Sequence, residues 1–329
     1  MVSTTNPGSV RTRFYILSDT HGIEFEKEER YSRHADVAIH CGDLTEESEL
    51  EEYRATLRLL MEIDAPLKLV IAGNHDFTLD EPVFKEKVAQ ARPPLDAHLV
   101  RKVYGEYGEA KQLLEDARSA GIIFLDEGTH RFTLENGAIL NVYASPYTPS
   151  LGDWGFQYHP SRGHEFDVLN GVDLVMTHGP PKGIMDYTES KQRAGCPDLF
   201  EAIARARPRM HCFGHIHEGW GARLVTWRKR LTEKPSHLTD IDNEKSTTIE
   251  KLSGFTHSKF DTTESCEEKS RNERHHRQQG CYATTHCTGD AIPLEHGAQT
   301  LFINAAVQGT EEKPLQLPWL VDLELSKAA

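Results

Sequence analysis

Short apolar runs alternate with longer amphipathic stretches along the chain as far as about residue 225, and five of the runs stop abruptly in polar residues. The run 14–17 leads into Ser18-Asp19-Thr20-His21-Gly22, 37–41 into Gly42-Asp43, and 69–71 into Gly73-Asn74-His75-Asp76. The run 172–176 leads into Thr177-His178-Gly179, and 210–213 into Gly214-His215-Ile216-His217. These runs are short and rich in β-branched or aromatic residues, which predicts strands buried on both faces. Thr45 is placed to cap a helix whose Leu50, Tyr53, Leu57, Leu60 and Met61 form one apolar stripe. Acids at Glu46, Glu47, Glu49, Glu51 and Glu52 crowd its first turns, where the helix dipole favours negative charge. The segments 132–134 and 139–143, joined through Asn136-Gly137, predict a β-hairpin.

Strand-helix alternation of this kind predicts layers of helices covering sheets, an α/β protein in one domain spanning 1–329. From 228 to 299 the character changes. Glu, Lys, Ser, Thr, Arg and His crowd a stretch with few aliphatics and no period, which predicts a disordered, low-complexity insertion within that domain. Periodicity resumes at 301–305 and 319–325, which predict late strands of the same core.

Composition narrows the function. Lys plus Arg number 37 against 51 Asp plus Glu, a formal charge of −14, so wrapping of a nucleic-acid polymer or an anionic membrane is not expected. Residues 1–13 lack the apolar stretch of a secretory signal, and no run reaches the roughly 18 apolar residues of a membrane helix. A soluble, cytoplasmic protein is expected. The six cysteines form no disulfide framework, and Cys41 and Cys212 sit in apolar runs as reduced thiols do.

Each polar strand ending is weak evidence alone. In sheets built from strand-helix units, however, strand C-termini gather at one edge, where ligands assemble. Asp19, His21, Asp43, Asn74, His178, His215 and His217 would then meet. Two carboxylates, four imidazoles and an amide oxygen suit borderline divalent ions such as Mn, Fe or Zn, and the absence of cysteine argues against a structural thiolate zinc. Seven ligands exceed the need of one tetrahedral ion, so two divalent ions sharing the Asp43 carboxylate are the economical reading.

The motifs Asp19-Thr20-His21, Gly42-Asp43, Gly73-Asn74-His75-Asp76, Thr177-His178-Gly179-Pro180 and Gly214-His215-Ile216-His217 resemble those of the calcineurin-like metallophosphoesterases. Within them, His40-Cys41-Gly42-Asp43-Leu44-Thr45-Glu46 and Phe213-Gly214-His215-Ile216-His217-Glu218-Gly219 look most like the metallophosphoesterase-domain-containing branch of small phosphodiesterases. The resemblance implies a four-layer α/β/β/α sandwich of two mixed sheets flanked by helices. It implies that Asp19, His21 and His217 hold one ion and Asn74, His178 and His215 the other, with Asp43 between them. His75 is not a ligand in that pattern but the catalytic group facing the leaving oxygen, while a hydroxide shared by the ions attacks phosphorus in line.

Departures from the pattern bear on substrate. Protein phosphatases of the superfamily carry an Asp-Arg pair soon after the bridging Asp, whereas Leu44-Thr45-Glu46-Glu47-Ser48 holds no arginine. A monoester dianion gains from such a clamp and a diester needs it less, so the expected substrate is a small phosphodiester, nucleotides included. The alternatives are a broad phosphomonoesterase and a catalytically weak scaffold that binds metal or nucleotide. Glu46 reads either as an orienter of His75 or as a solvated acid, and the aromatics from Tyr147 to Phe156 either as a base-stacking surface or as loop packing. Lys182 reads as solvated, and His275, His276, Cys281, His286 and Cys287 fit no zinc spacing.

Overall fold

Alternate residues of the first strand enter different cores, which sets the layering of the whole molecule. The computed structural model describes residues 8–23, 33–256, 258–310 and 313–328. In chain order the strands are β1 (Ser9–Leu17), β2 (Val37–His40), β3 (Leu67–Val70), β4 (Ile122–Phe124), β5 (Gly128–Thr133), β6 (Ile139–Ser145), β7 (Thr148–Pro149) and β8 (Gln157–Tyr158). There follow β9 (Leu174–Thr177), β10 (Met210–Phe213), β11 (Gly221–Thr226), β12 (Thr247–Lys251), β13 (Tyr282–Thr285), β14 (Gln299–Asn304), β15 (Gln308–Thr310), β16 (Lys313–Leu315) and β17 (Trp319–Ser326). The helices are α1 (Leu50–Glu62), α2 (Glu81–Gln90), α3 (Ala97–Tyr104), α4 (Glu109–Asp116), α5 (Pro197–Ala206) and α6 (Thr263–Gln279).

Two mixed sheets stack. The first has the order β13-β17-β1-β2-β3-β4 and the second β12-β11-β14-β10-β9-β6-β5. In the first, β1 to β4 run parallel and β17 lies antiparallel to β1. In the second, β6, β9, β10 and β14 run parallel. Phe14 and Ile16 point between the sheets, against Val142, Met176 and Ile303, whereas Tyr15 and Leu17 point outward to Tyr53 and Leu57 of α1 and Leu114 of α4. On the far side, Val175 and Phe213 meet Leu199, Phe200 and Ile203 of α5. The layers are thus helix, sheet, sheet, helix, as expected. Among the described residues no helix is long and apolar enough to cross a membrane.

Several local expectations are corrected. Thr45 does not cap α1. The helix starts after Glu49, whose backbone N–H donates to the Glu52 carboxylate at 2.9 Å, while the Thr45 hydroxyl donates to Asp76. The stripe of α1 buries Leu50, Tyr53, Leu57 and Leu60, but Met61 is 52% exposed at its edge. The hairpin forms with Leu134 in the turn rather than the strand, its N–H donating to the Ala138 carbonyl.

The segment 228–299, expected to lack order, carries β12, α6 and β13. Its order does not come from apolar periodicity. β12 and β13 take their backbone hydrogen bonds from β11 and β17. Buried Asp240 gathers Thr232, Ser236 and Thr239, and α6 buries no residue but is capped by Thr262 and tied to Asp261 through Lys269 at 2.8 Å. Such side chains read as solvated in sequence.

Across the β1–β17 ladder, Arg11 and Arg13 converge on Asp322 at 2.6 and 2.7 Å. Burial pushes the Asp322 carboxyl up, but hydrogen bonds and charge from both guanidinium groups outweigh it and hold the pKa below the usual value. A depressed folded pKa stabilises the fold above the unfolded value of about 4, and the contribution is lost as pH falls through the folded value. Asp322→Asn is therefore expected to lower stability at pH 7 by on the order of 1 kcal/mol, given the half-exposed arginines. Thermal melts between pH 7 and 2.5 check this, because the gap from wild type should close towards acid.

Candidate metal centre

The polar residues that end the strands are carried in turns whose backbone conformation aims them. Asp19, His21, Asp43 and His215 all have positive φ, at 55°, 46°, 52° and 66°. An L-residue held there stores on the order of 1–3 kcal/mol, which persists only where the surroundings fix it. Here they do. The Asp19 N–H donates to the Gly42 carbonyl and the His21 N–H to the Asp43 carbonyl, lacing the turns after β1 and β2 together. Two glycines allow the approach. A Cβ on Gly73 would lie 2.3 Å from Asp43, and one on Gly214 would lie 1.8 Å from the Asp19 carboxylate.

The turns after β1, β2 and β3 meet those after β9 and β10 across the gap between the sheets. Ligand atoms of Asp19, His21 and His217 lie within 4.8 Å of one another, as do those of Asp43, His178 and His215, and those of His21, Asp43 and His75. Asn74 joins through Oδ1, 3.0 Å from His178 Nε2. All seven residues proposed as ligands, and His75 with them, are therefore gathered at one place, with Asp43 in two of the three groups. Among the described residues no further group of His, Cys, Asp and Glu gathers in this way, and His275, His276, Cys281, His286 and Cys287 belong to none of the three groups. Lys182 is exposed, as expected.

The donor set fits divalent cations, and one orphaned atom shows it. His21 is buried, its Nδ1 faces the Thr45 carbonyl at 3.1 Å and the Glu46 carboxylate at 2.8 Å, and its Nε2 has no hydrogen-bond partner, lying 3.9 Å from Asp43 Oδ2. A buried imidazole nitrogen without a partner is costly unless a ligand satisfies it. The local charge is balanced accordingly. Burial raises the Asp19 carboxyl, but the hydrogen bond and charge of His217 bring it down to about 2, and the charge of His178 keeps Asp43 lower still despite burial. His178 is desolvated yet pushed up to about 9 by Asp43 at 3.2 Å. Burial lowers His215 to about 4.

His75 is held from three sides. Its Nδ1 faces the Glu46 carbonyl at 2.6 Å, its ring lies 4.4 Å from Trp154 and 4.8 Å from His21, and its backbone N–H donates to Asp43 at 2.8 Å. Glu46 thus orients His75 through its backbone carbonyl, while its carboxylate pairs with His21. Trp154 packs against His75, whereas Tyr147 packs against Phe156 and His164.

Sequence reasoning gave no role to Asp76. It is fully buried and accepts from the N–H groups of Leu44, Thr45 and Gly73 and from the Thr45 hydroxyl, joining the turns that carry Asp43 and Asn74. Burial and the charge of Asp43 raise its pKa to about 7 against those hydrogen bonds. The signal available was an acid directly after His75, at the start of the single helical turn Phe77–Leu79, which its side chain does not cap. Asp76→Ala leaves those donors unpaired and is expected to destabilise the fold by about 3 kcal/mol, measured by urea denaturation. A loss below ~1 kcal/mol would contradict the assignment.

A family model described as calcineurin-like phosphoesterase matches residues 12–219. Metallophosphoesterase domain-containing protein 1 of Homo sapiens is 33% identical over 216 residues, which cover 64% of this chain and 62% of the human protein. A UPF0046 protein of Caenorhabditis elegans is 32% identical, covering 66% of this chain and 54% of that one. A probable rhamnogalacturonate lyase C of Emericella nidulans is 32% identical over 65% of this chain but only 18% of its own length. The match thus spans less than two thirds of each of these relatives.

Proposed function

This chain belongs to the calcineurin-like phosphoesterases, and we propose that it hydrolyses small phosphodiesters in the cytoplasm, cyclic nucleotides being the first candidates and manganese the first metal to test. Asp19, His21 and His217 would hold one divalent ion, Asn74, His178 and His215 a second, and Asp43 both. When bound, such a pair lowers the pKa of water towards neutrality and neutralises phosphate oxygens.

The chain's own residues supply the rest. The Cys41 carbonyl faces His178 Nδ1 at 2.9 Å, and the Thr45 carbonyl faces His21 Nδ1, so each ring turns its Nε2 inward. The Glu46 carbonyl accepts from His75 Nδ1, which keeps one proton there. In the imidazolium form Nε2 carries a second proton, which His75 would deliver to the leaving alcohol as its bond to phosphorus breaks and the electron pair moves to that oxygen, leaving the neutral imidazole with its Nδ1 proton.

The observation that carries the diester reading is Glu46. Where protein phosphatases carry an Asp-Arg pair soon after the bridging Asp, residues 44–48 offer no arginine, and the Glu46 carboxylate stands 2.8 Å from His21 Nδ1. A dianionic monoester meets that charge more unfavourably than a singly charged diester. Turnover of bis-p-nitrophenyl phosphate against p-nitrophenyl phosphate, with added manganese, tests it. The diester is expected to be the faster substrate. A faster monoester would contradict the diester reading, and turnover of neither would contradict the hydrolase.

A further inference from the structure

Two buried histidines outside the ligand set repeat one arrangement, once in each sheet. His40 ends β2 beside Leu17 of β1, and His211 lies on β10 beside Val175 of β9. Their neighbours Ile39 and Cys212 point between the sheets, so both rings lie on outer faces, His211 with its ring 5.1 Å from Phe213 and 5.6 Å from Phe302. Burial lowers both imidazoles to about 3, so each is neutral and carries one ring proton.

The hydrogen bonds place that proton. The Thr177 hydroxyl donates to the Gly179 carbonyl at 2.7 Å, which leaves its oxygen to accept from His211 Nε2 at 2.8 Å. In the other sheet the Gly42 N–H donates to His40 Nδ1 at 3.3 Å, so His40 Nε2 donates to the Thr20 hydroxyl at 2.9 Å. Both threonines are buried and adjoin candidate ligands. Thr20 stands between Asp19 and His21, Thr177 and Gly179 bracket His178, and Gly42 precedes Asp43. One ring thus joins the turns after β1 and β2, and the other closes the turn after β9. His211 Nδ1 is buried without a partner, a cost that an apolar ring would not incur, so what the imidazole adds at that place is its bond to Thr177.

We propose that His40 and His211 are positioning residues of the metal centre, each fixing a ligand-bearing turn through the threonine to which it donates. The proposal rests on the two-ion reading above. His211 acts on His178, and so on the ion shared with Asn74 and His215. His40 acts on Asp19, His21 and Asp43 together, and so on both ions.

Manganese titration of the metal-stripped chain, followed by calorimetry, tests it. His211→Phe is expected to weaken one of two equivalents about tenfold and leave the other within about twofold, whereas His40→Phe weakens both. Glutamine carries an amide N–H near the place of Nε2, so His211→Gln and His40→Gln are expected to bind within about threefold of wild type. Thr177→Val breaks the same bond from its other end and serves should His211→Phe fold poorly, as thermal melts of the metal-free chain would show. It is expected to weaken the same single equivalent, and the two changes combined to weaken it no further. Phe variants that keep both equivalents within about twofold, glutamine variants no better than phenylalanine, or a His211→Phe loss shared equally by both equivalents overturn the proposal. A wild-type chain that binds fewer than two equivalents sinks the two-ion reading itself. Two equivalents in the wild type with unchanged variants sink the positioning role alone.

Discussion

Asp43→Asn is expected to lower kcat/KM for a phosphodiester by about 10^3-fold or more, on the order of 4 kcal/mol of transition-state stabilisation, and to release bound metal. The size follows from position. Asp43 belongs to both the His178–His215 and the His21–His75 groups, and its Oδ1 also accepts from the His75 N–H. Asn is nearly isosteric and can keep the neutral contacts, so the fold should survive while the charge balancing His178 disappears. That balance carries a sign. His178 is pushed up to about 9 chiefly against its own burial by the Asp43 carboxylate, so without it the imidazole reverts towards the lower value burial dictates. Steady-state kinetics and metal analysis on one preparation check both effects. A variant that keeps its metals and more than a tenth of wild-type activity would contradict the role given to Asp43.

His75→Ala is expected to behave oppositely on metal and similarly on rate. Its ring contacts the cluster through His21 and Trp154, and its Nδ1 is committed to the Glu46 carbonyl. Removing it should cost between about 10^2 and 10^4 in kcat by loss of proton delivery, while two equivalents of metal remain. The loss should be greatest for diesters with basic leaving alcohols, which need the proton most. Equal losses across leaving groups would assign His75 to binding, and loss of metal would make it a ligand, as its grouping with His21 and Asp43 permits.

The strands were legible because both faces of the sheets are covered. Phe14 to Leu17 reads as one apolar run since alternate side chains enter two different cores, with no polar face to interrupt it. The candidate ligands were legible for a related reason. Each lies within four residues of the end of a buried strand, in a polar cluster, and parallel strands bring such ends to one edge. What stayed hidden depends on contacts between segments far apart in the chain. The Thr45 hydroxyl reads as a helix cap until Asp76, distant in sequence, is seen to accept it. Trp154 reads as one ring among several on a long loop, and the packing of Gly155 on Phe77 together with its N–H bond to the Asn74 carbonyl places it against His75. Order in 228–299 was hidden because β13 borrows its hydrogen bonds from β17 and Asp240 satisfies its neighbours without apolar surface.

The central claim is that seven side chains from five strand ends form a centre for two divalent cations. Metal analysis of the purified chain after equilibration with manganese and removal of free ion tests it most directly. The account predicts two equivalents per chain, falling to one or none in Asp43→Asn. A wild-type chain that retains no manganese, zinc or iron, or an Asp43→Asn variant that retains the full complement, would contradict it.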